Sequence, residues 1–145
     1  MNIWESYAAK FQSIDVFSMV AQIIKELENV ILDINRGDQL YLSGQLSDGS
    51  FLPDYRSGTI AEKVTGSGDK RIENMTLRDS GSFYNGFNLR VTTDKVEVYS
   101  SDSKTPELVG AYGKNIFGLT DENWQDLVDS NIVPSLTLRI CKVLE

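Results

Sequence analysis

Val16, Phe17, Val20, Ile23, Ile24, Leu27, Val30, Ile31 and Ile34 recur with the three-to-four-residue spacing of one helix face. Lys25, Glu26, Glu28, Asn29 and Asp33 fill the other face. Asp15 or Ser13 can supply the capping oxygen at its start. The spacing predicts a helix over Val16–Asn35, a rod of about 30 Å at 1.5 Å per residue. An apolar stripe that long must lie across something comparable, and a β-sheet is the natural partner. The helix ends at Gly37 or runs one more turn, through Leu40 and Tyr41, towards Gly44.

The rest of the chain is read around that rod. Trp4, Tyr7, Ala8 and Phe11 also fall at helical spacing, so residues 1–14 read as a short amphipathic helix that packs on its own domain or docks on a neighbouring subunit. Residues 45–76 carry the turn signals Ser47-Asp48-Gly49, Pro53-Asp54 and Thr65-Gly66-Ser67-Gly68-Asp69. They read as a long irregular loop region, with short strands around Phe51 and Ile60 and a flexible tip at the glycines. Phe87, Leu89 and Val91 alternate with Asn88 and Arg90, and Val96 and Val98 with Glu97 and Tyr99. This is a β-hairpin turned at Thr92–Lys95 with one face buried. A short helix follows from Pro106 to Tyr112, stopped by Gly113, and another begins at Thr120-Asp121-Glu122. Leu136, Ile140, Val143 and Leu144 suit a final helix; Leu136, Leu138 and Ile140 would also suit a strand. At 145 residues, with no repeat and no boundary, the chain reads as a single domain over 1–145. The expected class is α+β: a small antiparallel β-sheet packed against a long N-terminal amphipathic helix, with short C-terminal helices.

Composition narrows the chemistry. There is no histidine, so the serine and cysteine nucleophile systems that rely on one, and histidine-ligated zinc, are excluded. The single Cys141 admits no intrachain disulfide and, in an apolar segment, is expected to be a buried, inert thiol. A net charge of −7 with scattered basic residues argues against binding the phosphate backbone of nucleic acid. The first fifteen residues lack the features of a secretory signal, and no apolar run is long enough for a membrane span. Asp121, Glu122 and Asp126 are explained by helix N-terminal charge compensation, without a metal. No metal or cofactor is expected.

Asp79-Ser80-Gly81 is the triplet that could carry catalysis. A dimeric, retroviral-type aspartic protease would draw one such aspartate from each subunit. Arg78 before it and Ser82 after it fit that role poorly, because an adjacent guanidinium favours permanent ionisation. The structural reading makes the triplet a bend, with Asp79 accepting backbone N–H bonds and Gly81 and Gly86 adopting angles closed to other residues. Phe83, Tyr84 and Phe87 would then lock the bend onto the long helix.

The order of the pieces resembles the phage virion-morphogenesis or tail-completion proteins, tail terminator-like factors of the head–tail joint. In those proteins a leucine and Asp-Thr/Ser-Gly with a following bulky residue introduce a hairpin. An aromatic-Gly pair, an apolar-Gly-Leu-Thr-Asp segment and a C-terminal helix come next. The matching positions are Leu77, Asp79-Ser80-Gly81, Phe83, Tyr112-Gly113 and Phe117-Gly118-Leu119-Thr120-Asp121, and the likeness covers residues 16–130. Ala111 and Lys114-Asn115 depart from the His or Gln and the Arg-Pro usual there. The resemblance implies a non-enzymatic structural protein, made in the bacterial host cytoplasm and placed in the virion at the head–tail joint. It would assemble as a homo-oligomeric ring between connector or portal-side and tail proteins, binding neither specific nucleic acid nor membrane. Trp4, Tyr7 and Phe11, the hairpin edge with Lys95, Glu97 and Tyr99, and the 45–76 region are the expected interface. The dimeric protease, and a small bacterial adaptor without a virion role, are the alternatives.

Overall fold

A computed structural model describes residues 2–92 and 94–145, apart from the Ser57 side chain. The class is α+β, with a two-stranded antiparallel sheet among the described residues. Helix α1 is Ile3–Gln12, opened by a capping box between Asn2 and Glu5. Helix α2 is Val16–Glu26, capped by Asp15 through the Ser18 N–H.

The expected single rod is interrupted. Leu27 leaves helical geometry at φ −91°, ψ 10°, its N–H shared between the Ile23 and Ile24 carbonyls. Helix α3, Glu28–Asp33, follows, and a π-helical stretch then runs over Ile34–Tyr41. The break falls where Glu28 meets the sheet: its Oε1 accepts from Leu89 N at 3.2 Å. The stripe is also only partly inward. Ile23, Ile24, Ile31 and Leu32 are buried, whereas Val16, Phe17 and Val30 are exposed. Helical geometry continues past Gly37 to a left-handed Gly44 (φ 66°).

Strands β1, Phe87–Val91, and β2, Val96–Ser100, form the hairpin, with Phe87 opposite Ser100 and Val91 opposite Val96. Of the expected turn at Thr92–Lys95, Thr93 lies outside the described residues; Thr92 N donates to Lys95 O at 2.9 Å. Strand β1 lies against α2 and α3. In the expected irregular region, Gln45 bridges Phe51, but Ile60 sits in a helix, α4, Ser57–Thr65. Local helix-compatible residues won there over the flanking turn signals. Helix α5, Ser82–Asn85, sinks Phe83 and Tyr84 into the core. Helix α6, Thr105–Tyr112, ends at a left-handed Gly113 (φ 85°). Thr120 caps α7, Asp121–Leu127. A π-helical stretch, Val128–Ile132, then leads into α8, Val133–Leu144, which resolves the final segment as helix. Cys141 is exposed on α8, because the inward side of that helix is taken by Leu136, Ile140, Val143 and Leu144.

The π-helical turns carry two buried amides inward, Asn35 and Gln39. Asn35 Nδ2 donates to Ile116 O (3.1 Å) and its Oδ1 accepts from Gly118 N (2.8 Å). Gln39 Nε2 donates to Gly118 O (2.9 Å), and its Oε1 accepts from Thr120 N (3.0 Å) and Asn123 Nδ2 (2.9 Å). Leu119, inside this embrace, is buried in the core. Gln39→Ala strands a buried amide N–H and carbonyl. It is expected to cost about 3 kcal/mol, read as a lower urea midpoint at unchanged slope.

Candidate functional site

The bend at Asp79-Ser80-Gly81 is built from its neighbours as much as from itself. Leu77 holds a left-handed backbone (φ 59°), a strained setting for a γ-branched residue. Gly81 is buried at φ 94°, a conformation that favours glycine, and it opens α5. Ser80 Oγ accepts from Ser82 N at 3.3 Å and donates to Ser82 Oγ at 3.1 Å, so both hydroxyls serve the bend. Gly86, expected at angles closed to other residues, has an ordinary right-handed backbone (φ −81°, ψ −4°). Glycine is needed there because its backbone runs against β2, where an added Cβ would lie 2.6 Å from Ser100 Oγ.

The expected carboxylate is not the one that orders this region. Asp79 is exposed, and it is its backbone carbonyl that accepts, from Asp69 N at 3.1 Å. The organising carboxylate is Asp69, whose side chain is 2% exposed. It accepts from Arg71 N (2.8 Å) and Arg78 Nη1 (2.5 Å), with Lys63 Nζ at 3.7 Å. Burial pushes Asp69 up, but those bonds and the Lys63 charge outweigh it and hold the carboxyl below its ordinary value. Gly68, expected at a flexible tip, instead passes directly against the Asp79 carboxylate.

Tyrosines join residues 69–78, the strap that precedes the bend, to the core. Thr76 N donates to Tyr55 Oη at 2.9 Å, and the buried Tyr84 hydroxyl donates to Thr76 O. Burial, the leading cause, drives the Tyr84 hydroxyl far above its ordinary value, so it stays protonated as a donor. Lys63 Nζ lies 4.9 Å from the Tyr55 ring centroid, and Arg71 and Arg78 lie 5.4 and 5.6 Å from that of Tyr41. Phe83, Tyr84, Phe87 and Phe117 pack as one aromatic cluster beneath. Between α4, the bend and α6 lies a cleft of about 880 Å³, lined by Tyr55, Lys63, Leu77, Asp79, Leu108 and Tyr112 among others. It presents aromatic surface beside the Asp69 centre, whose carboxylate is paired with Lys63 and Arg78.

The remaining expected residues fall in three places. Phe83 and Leu119 are core, Thr120 caps α7, and Gly113 and Gly118 (φ 104°) are left-handed loop residues. Lys95, Glu97 and Tyr99 are engaged within the hairpin: Lys95 Nζ meets Glu97 at 2.8 Å, Arg90 meets Glu97 at 3.3 Å and covers the Tyr99 ring at 4.7 Å. Trp4, Tyr7 and Phe11 are 78%, 40% and 58% exposed. Asn35, Gln39 and Asp69 escape sequence reasoning. Asn35 and Gln39 carried one signal, polar side chains continuing the buried line through Ile31 at four-residue steps; Asp69 carried none.

Among the described residues, no group of three or more His, Cys, Asp or Glu side chains is placed to hold a metal ion, and no helix is long and apolar enough to cross a membrane. No family model, curated protein or solved structure matches the chain.

The two aspartates should part on substitution. Asp69→Asn leaves Arg78 and Lys63 without their counter-ion and is expected to cost about 2 kcal/mol at pH 7, whereas Asp79→Asn stays within about 0.5 kcal/mol. Because the folded Asp69 carboxyl lies below its unfolded value, its contribution is complete above about pH 4 and drains away as pH falls through the folded value. Urea midpoints at pH 7 and pH 3 should therefore converge between wild type and Asp69→Asn at the acid end.

Proposed function

We propose that the chain is a non-enzymatic structural subunit of a phage head–tail joint, assembling into a ring and acting by surface complementarity. The carrying observation is α1. Its apolar stripe, Trp4, Tyr7 and Phe11 with Ile3, faces solvent, and no residue of the helix is buried. Only Ser6 and Lys10 turn inward to the half-buried level, Lys10 Nζ donating to Glu145 O at 2.7 Å. A ten-residue helix is marginal by itself, and a contiguous apolar face left in water marks an interaction surface. An arm that docks on a neighbouring subunit accounts for both.

The virion assignment rests on the resemblance carried by Leu77, Asp79-Ser80-Gly81, Tyr112-Gly113 and Phe117–Asp121. It agrees with the way these segments serve architecture: left-handed glycines, a helix cap and core side chains. Connector or portal-side and tail proteins would flank the ring. The overall negative charge suits a channel that lets nucleic acid pass without holding it.

The test is a phage carrying this gene with Trp4→Ser and Phe11→Ser together. Both positions are exposed, so the purified variant should keep its unfolding free energy within about 0.5 kcal/mol per site. Electron microscopy should show filled heads without tails and a lost titre. Normal tailed particles from that variant would remove the reading.

A further inference from the structure

A second surface, distinct from the α1 arm, lies between α2 and α8. A groove of about 560 Å³ runs there, lined by Ser18, Met19, Gln22, Arg139, Lys142 and Val143. Beside it Phe17 and Leu138 are 75% and 73% exposed, and α8 has no buried residue. The charge of α8 is unusual for this chain: Val133–Leu144 holds Arg139 and Lys142 and no acid, a local +2 within a net −7. Arg139 is tied to Glu26, and Lys142 is exposed at the groove's rim.

The complementary surface sits at the far end of the same helical stretch. Residues 37–55 hold Asp38, Asp48 and Asp54 and no Lys or Arg, a local −3. All three are exposed, as are Phe51 and Leu42 between them. The loop is held firmly. Leu52 N donates to Gly44 O (2.8 Å), Leu46 N to Ser50 O (2.8 Å), and Asn115 Nδ2 to Asp48 (3.2 Å). Hydrogen bonds from Ser50, its hydroxyl first, hold the Asp48 carboxyl below its ordinary value, so it stays charged at neutral pH.

An apolar, cationic groove by α2 and an apolar, acidic knob just beyond Gly44 belong to the two ends of the interrupted helical run, Val16–Glu26 at one and Ile34–Tyr41 at the other. We infer that the α2–α8 groove of one copy receives the Phe51 loop of a second copy, head to tail, with Lys142 meeting Asp48 and Asp54. With Arg139 tied to Glu26, two copies of α8 facing each other would set Lys142 against Lys142 rather than against a carboxylate, so the charges favour the head-to-tail contact over a two-fold one. A head-to-tail contact is heterologous, the kind that closes into rings. The inference rests on the ring reading above and supplies its second contact.

Cys141, exposed on α8 one residue from Lys142, is a native reporter. The wild-type chain is mixed with a chain carrying Cys141→Ser and Pro53→Cys, and disulfide formation is followed against a control chain carrying Cys141→Ser and Ser103→Cys. The contact predicts faster heterodimer formation with position 53 than with position 103. Lys142→Glu in the first chain should cut that rate about threefold, the worth of an exposed ion pair, and Asp54→Lys in the second should restore it. Equal rates at positions 53 and 103, a rate indifferent to Lys142→Glu, or Cys141–Cys141 dimers prevailing would each overturn the head-to-tail contact. The two readings fail separately: tailless particles from the Trp4→Ser/Phe11→Ser phage together with equal cross-linking remove only this contact.

Discussion

Two buried amides and five hydrogen bonds join the N-terminal helical run of this molecule to the loop that leads into its C-terminal helices. Asn35 and Gln39 sit on π-helical turns and close around the backbone of residues 116–120. That contact places Leu119 in the core and Thr120 at the head of α7, while α8 beyond it rests on α2 and α1. A buried amide is costly when unmet and specific when met. Here each side chain both donates to and accepts from the segment it grips, so a register slip of one residue along the loop would leave several groups without partners.

A second polar centre, around Asp69, does the same for the strap that precedes the bend. It joins α4 to Arg78 and to the Asp79 carbonyl, while Tyr55 and Tyr84 anchor Thr76. The two centres differ in exposure to conditions. The amide clamp has no titratable member. The Asp69 centre depends on a carboxylate and two cations, so acid loosens the strap before it reaches the core.

Period and punctuation made much of this legible in the sequence. The hairpin, the stop at Gly113, the cap at Thr120 and the short first helix all follow from alternation, glycine and capping chemistry, which act locally. The unbroken rod did not survive, because Leu27 and Glu28 answer to the sheet edge rather than to helical spacing. The bend at Asp79 was placed correctly and its chemistry was not: the carboxylate that matters belongs to Asp69, ten residues earlier, brought there by a fold that no local pattern announces. Asn35 and Gln39 look like ordinary polar helix residues until the loop they grip is in view. Exposure was equally hidden, since nothing in the sequence separates Phe17, which faces water, from Ile23, which does not.

The π-helical stretch has a bearing on how the chain tolerates length changes. A wide turn of this kind holds one more residue than an α-helix would. Deleting a single residue between Ile34 and Gln39 would tighten the coil and swing everything beyond it by about 100°, carrying the glutamine amide away from its loop. Homologous chains should therefore keep the count fixed from residue 34 to residue 39. The glycine-rich segment is similarly constrained, Gly66 running against the Glu62 carbonyl and Gly68 against Asp79.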